Sequence, residues 1–71
     1  MIKKELQPKK WDVCKQVGMI CKLKRIEMNV SQKDMAETLG VTPGLISQFE
    51  NGISNSAFIL VGYITNLGVK I

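Results

Sequence analysis

The side chains most able to do chemistry are two cysteines, Cys14 and Cys21, and a few carboxylates, Glu27, Asp34 and Glu37 among them. The 71-residue sequence has no histidine, the usual carrier of general acid–base work. The thiols lie seven residues apart. On one helix their Cα atoms would stand about 10 Å apart, at about 1.5 Å of rise per residue, beyond the reach of a disulfide. Without a CxxC or a histidine they also fall short of a zinc ligand set. Neither has a visible activating partner, so both are expected to be small buried apolar thiols. No GxxxxGK loop is present to cradle a phosphate, and the three carboxylates read as a solvated face. The sequence is therefore not expected to be an enzyme or to hold a metal or other cofactor. What remains is binding chemistry.

The cations are unevenly placed. Residues 1–25 carry eight of the ten basic side chains against Glu5 and Asp12, a balance of +6. Residues 26–71 carry Lys33 and Lys70 against Glu27, Asp34, Glu37 and Glu50, a balance of −2. A basic tail beside a near-neutral body suits a polyanion such as DNA, and equally suits a solubilising tail. At 45% hydrophobic and 23% charged residues, the chain should fold, as one small domain. No run reaches the roughly 18 apolar residues of a membrane span, and Met-Ile-Lys-Lys-Glu is not a secretory leader. A cytoplasmic protein without membrane association is expected.

The positioning elements read as four helices without β alternation. Residues 1–10, with four lysines and Pro8, form a basic arm expected to be flexible, and residues 11–71 the domain. From about Lys9 to Met28, Trp11, Cys14, Val17, Cys21 and Met28 recur as one buried helical face would. Gly18 within it marks a kink or a close contact. Ile20, Leu23 and Ile26 lie off that stripe, as a wider core face, the plainer expectation, or as a partner surface. Asn29-Val30-Ser31 ends this helix. Ser31 can cap the next, with Asp34 in the acidic place of a capping box. Met35, Ala36 and Leu39 give its inner face, and Gly40 can take the positive φ that stops it. Thr42 is a good N-cap, Pro43 suits the first helical position, and Ile46 and Phe49 share an inner face. Asn51-Gly52 closes this helix. Ser54 and Ser56 are ready caps for a last helix from Ala57 to Leu67, with Ile59, Leu60, Tyr63, Ile64 and Leu67 at helical spacing and Gly68 as its stop.

A helix, a glycine-containing turn and a second helix make a DNA-reading device. A helix fits the major groove, where base edges present distinct donors and acceptors. It must protrude while another helix braces it. Small Ala36 would let the two cross closely, and Ile46 and Phe49 would anchor the second from behind.

Residues 20–69 resemble the lambda-repressor and Cro-like helix-turn-helix family, also called the XRE family. Ser31-Gln32, Met35-Ala36, Leu39-Gly40-Val41-Thr42, Ile46-Ser47-Gln48, Glu50-Asn51-Gly52 and Leu67-Gly68-Val69 carry the likeness. It implies an all-α, four- to five-helix DNA-binding domain that binds near-palindromic operator DNA, usually as a homodimer. Most members regulate transcription, often in phages, plasmids and bacterial chromosomes. On this likeness Gln32, with help from Lys33, sits where members touch a phosphate. Thr42, Pro43, Gly44 and Leu45 begin the recognition helix and face the groove. Ser47 and Gln48 lie on its exposed side, and Gln48 is the best candidate base reader, since an amide can bond adenine N6 and N7 together. Leu45 could touch a thymine methyl. Asn51 matches a backbone-contact position, and Ser54, Asn55 and Ser56 would hold the next phosphate. Arg25 and Glu50 occupy positions that pair in some relatives as a scaffold, the rival role for Arg25 being phosphate binding.

Three features depart from the family pattern. Pro43-Gly44-Leu45 offers no long polar side chain, which shifts specificity toward DNA shape. The loop Ile53-Ser54-Asn55-Ser56 lacks cations, so Lys3, Lys4, Lys9 and Lys10 are expected to track the DNA backbone or minor groove instead. The sequence stops just after Gly68, where many relatives continue into a fifth helix that helps pair subunits, so pairing is expected through the last helix, through the extra apolar strip of the first, or only on DNA, and the sequence also reads as the N-terminal fragment of a longer repressor. A different class of function also fits: a protein-interaction module, an antirepressor or assembly factor, reusing the fold.

Overall fold

Short polar side chains set the helix boundaries. In the computed structural model, which describes residues 10–70, the chain forms α1 (Lys10–Glu27), α2 (Gln32–Leu39), α3 (Pro43–Glu50) and α4 (Ala57–Leu67). The Ser31 hydroxyl accepts the Asp34 N–H at 2.9 Å, Thr42 that of Leu45 at 3.2 Å, and Ser56 that of Ile59 at 3.3 Å. Each hydroxyl satisfies an N–H that a helix start leaves without an internal partner. Gly40 stops α2 at φ 69°, its N–H turned back to the carbonyls of Ala36 and Glu37. A side chain would be strained in that left-handed conformation. The turn that follows α1 carries Asn29 at φ 58°, a conformation that a short polar side chain tolerates.

Cys21 from α1, Met35 and Ala36 from α2, Ile46 and Phe49 from α3, Ile59, Tyr63 and Leu67 from α4, and Val69 beyond it form one core. α3 packs against both α2 and α1, and α1 also meets α4. Gly18 allows the contact between α1 and α3: a Cβ there would stand 2.4 Å from the Phe49 carbonyl oxygen and 2.6 Å from that of Glu50. Of the two roles expected for Gly18, the structure gives the close contact. Gly62 does the same on α4, where a Cβ would fall 2.4 Å from a Leu39 methyl. The Phe49 and Tyr63 rings lie 5.5 Å apart, tilted.

Several expectations need correcting. Met28 is 45% exposed because α1 has already ended and the chain is turning. Ile20, Leu23 and Ile26, expected as a wider core, point outward at 40, 59 and 51% exposure. The core is filled by the opposite side of α1, through Val17, Cys21 and a charged residue, Arg25. Ile64 is likewise exposed, lying on the side of α4 away from Ile59 and Tyr63. Cys14 is only half-buried, whereas Cys21 is fully enclosed. Lys3, Lys4 and Lys9 lie outside the described residues, and Lys10 enters only as the first residue of α1.

Candidate nucleic-acid interface

α3 has a back and a front. Ile46, Phe49 and Glu50 form the back, at 0, 3 and 3% exposure. A carboxylate buried this deeply is unfavourable unless paired and fully hydrogen-bonded. Glu50 meets both conditions. Arg25 from α1 approaches as a fork, Nε to Oε2 at 2.6 Å and one terminal nitrogen to Oε1 at 3.1 Å. The other terminal nitrogen donates to the Val30 carbonyl at 2.7 Å. Gln32 Nε2, opening α2, donates to Oε1 at 3.2 Å, and the Tyr63 hydroxyl of α4 donates to Oε2. One carboxylate thus ties α3 to the three other helices. Among the described residues no buried side-chain nitrogen or oxygen lacks a partner.

The electrostatics follow from this arrangement. Burial pushes the Glu50 carboxyl up, but the hydrogen bonds from Arg25, Tyr63 and Gln32 outweigh it and leave the group below its ordinary value. The bond to Glu50 outweighs desolvation at Arg25 and raises the guanidinium above its ordinary value. Burial, then the bond to Glu50, holds the Tyr63 phenol above its usual range. Burial and then the Glu50 charge push the Cys21 thiol up to about 11. At neutral pH the cluster is one cation, one anion and neutral donors.

The front is open. Thr42, Pro43, Gly44 and Gln48 are exposed, and Leu45 is 42% exposed. Around Gly44 there is clear space, the Thr42 hydroxyl at 3.9 Å being all that an added Cβ would meet. The Gln48 side chain stands outside while its backbone carbonyl receives the N–H groups of Ile53 and Ser54 at 2.9 and 3.3 Å, which fixes the chain leaving the helix. Ser47, expected on the exposed side, is half-buried, and its hydroxyl accepts the Asn51 side-chain amide at 3.3 Å.

The backbone candidates divide. Lys33 is exposed at the start of α2. Gln32, expected at a phosphate, is half-buried and uses an amide donor on Glu50. Ser56 caps α4 and Ser54 is half-buried. Ser54, Asn55 and Ser56 border an apolar cleft of about 160 Å³ beside Val13 and Val17 of α1. Asn55 and Asn51 are exposed. Sequence reasoning missed Tyr63 and the bracing role of Gln32. The available signal was a hydroxyl set within an otherwise apolar face of α4, since a buried tyrosine O–H requires a partner.

A short helix held on one side by three others, open on the other, and entered through the turn Gly40–Thr42, is the working part of a DNA-binding helix-turn-helix domain. Comparison with known families agrees: residues 22–70, most of the chain, match the helix-turn-helix family of the lambda repressor and Cro, the XRE family, and the chain belongs to it. DNA binding and transcription regulation go with that membership. No curated protein and no solved structure matches the chain. Among the described residues no helix is long and apolar enough to cross a membrane.

Proposed function

We propose that the protein is a sequence-specific transcriptional regulator that reads operator DNA with α3 in the major groove. It would act as a small Cro- or repressor-like protein of a phage, plasmid or bacterium, in the cytoplasm. It would bind as a homodimer on a near-palindromic site. The supporting observation is the division of α3: Ile46, Phe49 and Glu50 are enclosed while Thr42, Gly44, Leu45 and Gln48 face solvent. Gln48 is the adenine reader, Leu45 the contact to a thymine methyl, and Gly44 the point of closest backbone approach. Ser47 reads only through the side of its hydroxyl not shared with Asn51. Lys33, Thr42, Asn51, Asn55 and the start of α2 face phosphates, with the helix dipole and free N–H groups adding to Lys33. Ser54 and Ser56 contribute through the same loop, and the lysines of the N-terminal arm follow the backbone. Arg25 serves the scaffold, because all three of its bonds are internal.

Selecting bound sites from a random duplex pool tests this reading. A defined half-site should emerge, and log affinity for it should fall by roughly 0.9 per contacted phosphate for each unit of log salt. Recovery of no preferred sequence, with no duplex shift at low salt, would favour the protein-interaction module. The exposed apolar side chains of α1 and α4 support that second reading.

A further inference from the structure

Two helices of unequal duty meet behind the reading surface. α3 presents Leu45 and Gln48 to solvent, and α4 follows the loop Ser54–Ser56, with Ser56 capping its first turn. Among the described residues α3 packs closely on α2 and on α1, and α4 on α1, but α3 and α4 are not such a pair. Two links join them directly. At the end of α3 the Gln48 carbonyl receives the N–H groups of Ile53 and Ser54, which fixes where the chain leaves. Farther along α4, Tyr63 lays its ring 5.5 Å from that of Phe49 and donates its hydroxyl to Glu50 Oε2. The first link alone is a hinge. The second sets the angle at which α3 stands to α4. Of its two parts, the ring contact tolerates sliding, whereas a hydrogen bond weakens steeply when bent out of line. Tyr63 is at 0% exposure, where solvent does not compete for that bond.

We propose that Tyr63 is a positioning residue for recognition: through Glu50 its hydroxyl sets the orientation of α3 on α4, and so decides how well Gln48 discriminates among bases. The hydroxyl is separable from what keeps the carboxylate compensated. Arg25 already meets both oxygens of Glu50, and Gln32 meets Oε1. Those bonds run to α1 and α2. Of the side-chain bonds to Glu50 among the described residues, the Tyr63 bond alone runs to α4. Orientation is the task that is left to it. On the operator, the loop 54–56 meets phosphates and α3 meets bases. Phosphate contacts fix the register of a protein on the duplex, and base contacts read the sequence. Both sets must fall into place together, so the angle between the elements that carry them governs specificity. A bidentate amide–adenine pair needs two bonds aligned at once, and a small rotation of α3 spoils it while the phosphate contacts persist. This role presupposes α3 in the major groove.

Tyr63→Phe removes one oxygen and keeps the ring. Equilibrium binding of the full chain to the selected site and to random duplex tests the role, at a temperature where circular dichroism shows every variant folded. Preference for the selected site should fall by about threefold or more, the scale of coupling within one hydrogen-bonded network. Affinity for random duplex at the same salt should stay within about twofold of wild type, since the groups that meet phosphates are untouched. Gln48→Ala should cost less preference in the Tyr63→Phe chain than in wild type, because a misplaced amide has less to lose. Val69→Ala, a core truncation beyond α4, should lower the urea midpoint yet leave the preference within about twofold of wild type. In the free protein, N–H residual dipolar couplings should fit α3 and α4 as one rigid unit in wild type and as two in Tyr63→Phe. Full preference kept by Tyr63→Phe would overturn the role, as would one rigid unit in both chains or full additivity with Gln48→Ala. An equal loss in Val69→Ala would also overturn it, by making stability the cause. The two readings fail differently: a wild-type chain that prefers no site removes both, whereas a selected half-site that Tyr63→Phe reads equally well removes only the role of Tyr63.

Discussion

The two sides of α3 are built on opposite terms. Behind the helix, Glu50 receives hydrogen bonds from Arg25, Gln32 and Tyr63, and Gly18 lets the α1 backbone come into contact. In front, Thr42, Gly44, Leu45 and Gln48 touch little. The same eight-residue helix is thus over-determined on one side and unconstrained on the other. Recognition benefits from both: the back fixes where the reading side chains stand, and the front leaves their hydrogen-bonding groups for a ligand. Substitution behind α3 should cost stability, and substitution of Gln48 in front should cost specificity alone.

The largest effect should come from Glu50→Ala. It strands Arg25 in the interior, and such losses cost about 3–5 kcal/mol, comparable to the whole stability of a domain this small. Urea denaturation would show it as a collapsed midpoint. Gly18→Ala should cost about 1–3 kcal/mol, because the new Cβ would meet backbone oxygens that cannot rotate away. A neutral result there would break the claim that the back is tightly packed.

The pH dependence sharpens the same contrast. Because folding lowers the Glu50 carboxyl, its stabilising contribution is present above the unfolded value of about 4.3 and is lost as pH falls through the folded one. For Cys21, raised from about 9 to about 11, the contribution is intact below about 9 and lost as pH climbs toward about 11. Stability should therefore fall off at both ends, as denaturant midpoints across pH would reveal. Native Cys14 should react with a thiol reagent and Cys21 only after unfolding.

In front, Gln48→Ala should leave the urea midpoint within about 0.5 kcal/mol of wild type, yet remove roughly 1–3 kcal/mol of preference for the selected site over random DNA. Equal losses on both duplexes would remove Gln48 as a reader. The smallest effect is Gly44→Ala. It has room for a methyl and should raise stability by up to about 1 kcal/mol through helix propensity, while a bulkier approach to the groove weakens binding.

Local chemistry made the helix pair legible in the sequence. Ser31, Gly40, Thr42 and Pro43 act on backbone groups within four residues, and their types announce the act. The Arg25 and Glu50 pairing came from likeness to a family, not from spacing, since nothing in a helical period links residues 25 apart. Tyr63 was legible as an apolar position but not as a donor, because its partner lies 13 residues away on another helix. Gly62 gave no signal, as its reason is the Leu39 side chain opposite. Periodicity likewise misjudged Ile20, Leu23, Ile26 and Ile64. It finds apolar faces, but what covers a face depends on how many neighbours the fold supplies.

The most direct measurement is an NMR titration of the isotope-labelled chain with a duplex carrying the selected half-site. Amide and side-chain signals of Thr42, Gly44, Leu45, Gln48 and Lys33 should shift together, while Ile46 and Tyr63 move little. Shifts confined to the outer faces of α1 and α4, with the front of α3 silent, would contradict the claim that this helix enters the groove.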